Sequence, residues 1–63
     1  MNNDLRRDLV AIILEETYGY RRDFAERMAG GRSSGIALRD AEALSAVMHA
    51  VDRIDARCSK IEG

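Results

Sequence analysis

Three glycines and two serines fall within six residues, Gly30-Gly31-Arg32-Ser33-Ser34-Gly35, and on neither side of them does the chain alternate apolar with polar residues. A run of this composition is a strong breaker of regular structure, because glycine gives up the most backbone freedom when a helix or strand forms. It divides the chain into two segments. Each repeats its apolar residues with a helical period, so the expected class is all-α. The expected organisation is a single domain over residues 1–63, with helix one over about 3–29, a loop over about 30–35 and helix two over about 36–61.

Helix two has the cleaner pattern. Leu44, Val47, Val51, Ile54, Cys58 and Ile61 recur at alternating spacings of three and four, the period of a packed helical seam. Ala37, Ala41 and Met48 flank that seam, while Glu42, His49, Arg53 and Lys60 fall on the opposite face. Ser33 or Ser34 is placed to cap this helix, with Asp40 as a later cap.

Helix one carries a main stripe of Leu5, Leu9, Ile12, Ile13, Tyr20, Phe24 and Met28, widened on one side by Val10, Leu14 and Ala25. Between Leu5 and Leu14 the apolar arc spans roughly 200°, where a helix facing one core needs roughly 100°. A two-helix hairpin cannot cover that arc, which calls for a second chain packing along Val10 and Leu14. Gly19 inside this segment costs about 1 kcal/mol relative to alanine in a helix and marks a kink or a break between Tyr18 and Tyr20.

Length sharpens the argument. A chain of 63 residues buries only about 60% of its unfolded surface and is commonly held together by a disulfide, a metal or a further copy. One cysteine cannot form an intrachain disulfide, and with one histidine it cannot close a structural zinc site. Two segments of nearly equal length joined by a short loop fold back antiparallel. The expected assembly is therefore a two-helix antiparallel hairpin that pairs into a homodimeric four-helix bundle. Its dimer and core residues are Leu5, Leu9, Val10, Ile12, Ile13, Leu14, Tyr20, Phe24, Leu44, Val47, Val51, Ile54 and Cys58.

Composition excludes several functions. Ten basic residues against eleven acidic ones leave a net charge of −1, so no overall basic character draws the chain to nucleic acid or to an anionic membrane. The apolar run over residues 9–14 is far short of the roughly 20 residues that span a bilayer, and the Met-Asn-Asn-Asp start lacks the basic region of a signal peptide. A cytoplasmic location is expected, with no membrane partner. His49 and Cys58 lie on different sides of helix two and cannot act as a base and nucleophile. The glycine loop follows a helix and lacks the lysine of a phosphate-binding loop. No enzyme activity, catalytic residue, metal, cofactor or small-molecule substrate is expected.

One segment has functional colour. All three aromatic residues lie within Tyr18-Gly19-Tyr20-Arg21-Arg22-Asp23-Phe24, interleaved with two arginines. Over residues 18–39, Arg21, Arg22, Arg27, Arg32 and Arg39 stand against Asp23 and Glu26, a balance of 5 − 2 = +3; the remainder of the chain then carries −4. The loop end of the molecule is basic and the terminal end acidic. Tyrosine and arginine are enriched at interface hot spots, and the same residue types stack on bases and contact phosphates. The expected partner-binding residues are Tyr18, Arg21, Arg22, Arg32 and His49.

This layout resembles that of the Rop-type plasmid RNA-binding regulators, helical hairpins of similar length that dimerise into four-helix bundles. The resemblance is one of architecture, carries no motif and transfers no residue role. It implies a small regulatory protein of the kind that phages and plasmids encode. The leading expectation is a non-enzymatic protein that binds and inhibits a larger protein partner. The alternatives are a dimeric RNA- or DNA-binding regulator and a structural subunit or assembly chaperone of a helical complex.

Overall fold

The computed structural model describes residues 1–31 and 35–62. They form three helices, α1 (Asn3–Tyr18), α2 (Arg22–Ala29) and α3 (Leu38–Glu62). The class is all-α, as expected, but the long first helix is two helices. No helix among the described residues is long and apolar enough to cross a membrane.

The break has a local cause. The Asn2 side chain accepts from the Leu5 amide at 2.7 Å and starts α1. After the 16 residues of α1, Gly19 turns left-handed, with φ of 76°. Its amide donates to the Glu15 carbonyl at 3.1 Å, and the Tyr20 amide donates to the Leu14 carbonyl at 3.2 Å. The last carbonyls of α1 are thereby satisfied and the helix ends. Helix α2 begins three residues after Gly19, with Asp23 in its first turn and Arg27 in its last, both favourable to the helix dipole. It closes at Gly30 and Gly31, whose amides donate to Glu26 and Met28 carbonyls at 2.9 and 3.2 Å.

Helix α1 is the centre of the fold, and both α2 and α3 pack against it. α3 runs antiparallel to α1. Tyr20 at the far end of α1 meets Asp40 near the start of α3, Arg6 meets Asp52, and the Met1 amino group meets Asp55. The core gathers Val10, Ala11 and Leu14 from α1, Ala25 and Met28 from α2, and Ala43, Val47 and Val51 from α3. Leu14, Met28, Val10 and Val51 are fully buried, each contributing about 1.5–3 kcal/mol relative to exposure.

Four expectations change. The apolar arc of α1 is indeed too wide for one neighbour, but α2 and α3 together bury Val10 and Leu14, so no second chain is needed there. The helix expected over 36–61 starts at Leu38 and runs through Glu62; the Ser33 and Ser34 caps lie outside the described residues. Leu5, Ile12, Ile54 and Cys58, expected in the core, are exposed. Cys58 is exposed because α3 outruns α1: Asp55 already lies against Met1, so the last turns of the seam have no helix opposite. The uninterrupted first helix of a Rop-type hairpin is absent. Leu9, Ile13, Tyr20, Phe24 and Leu44 are half-buried against the core.

Candidate functional site

The break between α1 and α2 places the aromatic and arginine residues at one end of the molecule. Gly19 ends α1 one residue after Tyr18, and Tyr18 stays 48% exposed. Tyr20 leaves the turn on the other side and packs inward, its ring edge-on to Phe24 with centroids 5.6 Å apart. The two tyrosine rings lie 6.4 Å apart and tilted by 30°. One is an anchor in the fold and the other faces solvent.

Arg21 and Arg22 open α2. Arg21 is exposed at the N-cap and makes no side-chain capping bond. Arg22 reaches back across the break, its Nε 3.3 Å from a Glu15 carboxylate oxygen, yet its side chain remains 79% exposed. An ion pair this exposed contributes little to stability, which leaves Arg22 free to exchange Glu15 for another carboxylate. Arg21 has no acidic partner among the described residues.

Across the break, Tyr18, Gly19 and Tyr20 form an open cleft with Arg39, Asp40 and Glu42 of α3. The Tyr20 hydroxyl donates to Asp40 at 2.5 Å. This bond holds the Tyr20 proton, so its pKa lies above the ordinary tyrosine value; burial and the Asp40 charge act in the same direction, and Arg39 opposes them. The phenol is thus a fixed donor. Among the described residues no group of three histidine, cysteine or carboxylate side chains is placed to hold a metal ion.

Tyr18, Arg21 and Arg22 flank the break in sequence, but Tyr18 lines the cleft with Arg39, Asp40 and Glu42 while Arg22 turns back to Glu15. The structure separates His49 from them. His49 lies nine residues beyond Asp40 on α3, about 14 Å along the helix, beside a shallow groove lined by Leu44, Ser45 and Met48. Arg32 lies outside the described residues. Arg39 and Asp40 are the site residues that sequence reasoning missed: Asp40 read as a helix cap, and no spacing rule couples it to a tyrosine twenty positions away.

No family model, curated protein or solved structure matches the chain. The geometry of the hinge end therefore carries the functional reading alone.

Proposed function

We propose that this protein is a non-enzymatic regulator that docks a larger protein through its hinge end, and that its working unit is a homodimer of three-helix subunits in place of the four-helix bundle. The observation that supports docking is the exposed Tyr18 ring at the α1–α2 break, followed within four residues by the exposed Arg21 and Arg22 side chains. The tyrosine supplies apolar area at low entropic cost, and the guanidiniums supply planar donors for carboxylates. The chemistry fits an acidic patch with an apolar centre. Binding there inhibits by covering a working surface of the partner.

The test places a photo-crosslinking side chain at position 18, and in a second variant at position 49, in the native host. The expected result is a discrete protein adduct from position 18 and none from position 49, lost when Arg21→Glu and Arg22→Glu are added to a chain that keeps its helical circular dichroism. A nucleic-acid adduct from position 18, with affinity falling steeply as salt rises, would instead establish the RNA- or DNA-binding alternative. Unchanged adducts in the charge-reversed chain would remove the patch.

A further inference from the structure

The cleft at the α1–α2 break joins two aromatic rings to an unpaired carboxylate. The Tyr18 and Tyr20 rings lie 6.4 Å apart with their planes tilted by only 30°, so their faces turn in nearly the same direction. A cation is attracted to the face of an aromatic ring within about 6 Å of its centroid. At this separation one cation can lie that close to both rings. Tyr20 is fixed in place by Phe24 and Asp40, and Tyr18, 48% exposed, leaves ring area open to a ligand.

The α3 side of the cleft is charged. Asp40 and Glu42 stand there against Arg39, a balance of 1 − 2 = −1. Two of these three groups are already engaged. Asp40 accepts from the Tyr20 hydroxyl, and the Arg39 charge acts at that same hydroxyl. Glu42 is exposed and has no ion-pair partner among the described residues. It is the carboxylate left to meet a ligand.

Size and charge narrow the ligand class. The cleft measures about 570 Å³, inside the roughly 300–1,000 Å³ of small-ligand sites. An anion would face the net negative charge. A divalent metal ion needs several oxygen ligands, and among the described residues no group of three carboxylate, histidine or cysteine side chains is placed to hold one. A methylated ammonium group suits both walls. It is weakly hydrated, its methyl groups pack on ring faces, and its charge calls for a single carboxylate.

We infer that the cleft between Tyr18, Tyr20 and Glu42 binds a methylated ammonium group, carried either by a trimethyllysine side chain of a protein or by a free trimethylammonium compound. The rings cover its methyl groups and Glu42 balances its charge. The inference goes beyond the docking reading, with which it shares Tyr18 but neither Arg21 nor Arg22.

Titration of the full chain with choline, followed by amide magnetic resonance, tests it. The expected result is saturable shifts at Tyr18, Gly19, Tyr20 and Ala43 with a Kd on the order of 1–10 mM. The neutral isostere of choline, in which carbon replaces the quaternary nitrogen, should bind about tenfold more weakly or worse. Glu42→Gln and Tyr18→Ala, both at exposed positions, should each weaken choline severalfold while the helical circular dichroism is kept. Arg39→Gln, which removes the opposing charge, should strengthen it. A peptide bearing trimethyllysine that binds more tightly than choline assigns the cation to a protein, and the reverse order assigns it to a free compound. Equal binding of choline and its neutral isostere, unchanged affinity in Glu42→Gln, or no saturation by about 100 mM overturns the inference. The chain carrying Arg21→Glu and Arg22→Glu, which loses docking, still binds choline, so either reading can fail without the other.

Discussion

The Tyr20 hydroxyl and the Asp40 carboxylate, twenty residues apart in the chain, meet at 2.5 Å and tie the α1–α2 break to the first turn of α3. The bond exists only while the phenol keeps its proton. Because the Tyr20 pKa is raised in the fold, the stability it contributes is fully present below the ordinary tyrosine value of 10.0 and is lost as pH rises through the higher folded value. Thermal melts should hold steady through neutral and mildly alkaline pH and fall above about pH 10. Tyr20→Phe should lower the neutral-pH melting temperature and remove this part of the alkaline fall. Tyrosinate absorbance should show the Tyr20 transition displaced upward in the folded chain; a Tyr20 transition at the ordinary value would contradict the bond.

Leu14 and Ile12 stand two positions apart on α1 and should behave in opposite ways. Leu14 is fully buried between α2 and α3, so Leu14→Ala should cost about 2–5 kcal/mol. A domain of this length has about 3–9 kcal/mol in total, so that variant should be largely unfolded near body temperature. Ile12→Ala should cost about 1 kcal/mol or less in dilute, monomeric samples. Urea unfolding followed by circular dichroism ranks the two, and equal losses would contradict the placement of the core.

Gly19 adopts φ of 76° with open space around the position where a Cβ would stand. Gly19→Ala meets no clash, so its cost is the left-handed backbone alone, about 1 kcal/mol. Gly19→Asn should cost less, since asparagine tolerates this conformation better. A stabilising Gly19→Ala would show that α1 and α2 are continuous in solution.

Cys58 is exposed on the part of α3 that extends past α1. One equivalent of a thiol reagent should therefore modify the native chain without denaturant, as fast as it modifies a short unfolded peptide. A protected thiol would mean that the seam over Ile54, Cys58 and Ile61 is covered in solution.

The helical class was readable because the apolar period holds on both sides of the glycine-serine run, whereas the arginines of residues 18–39 do not form one end, because α2 doubles back and sets Gly30 beside Arg6 and Arg7 while the break lies against Asp40 and Glu42. The fold-back was harder to see. Gly19 announced a break, but the arc from Leu5 to Leu14 had two solutions, a second chain or a returning piece of the first. Hydropathy cannot choose between them. The choice rests on Ala11, Ala25 and Ala43, whose small side chains allow close approach and give a weak apolar signal. Cys58 and Ile54 read as core because period fixes the side of a helix, not where its neighbour stops. The Tyr20–Asp40 pair spans the loop, beyond the reach of any local rule.

The break at Gly19 also settles whose surface α1 is allowed to use. Because the chain doubles back there, the layer that covers Val10 and Leu14 is its own. Straighten that one joint and α2 is carried away from Val10 and Leu14, which can then be satisfied only by the α2 of another copy. Reciprocal exchange of an identical element is a low-cost route to entwined dimers when a hinge is altered. A single backbone torsion thus separates a chain that closes on itself from one that trades a helix with its neighbour.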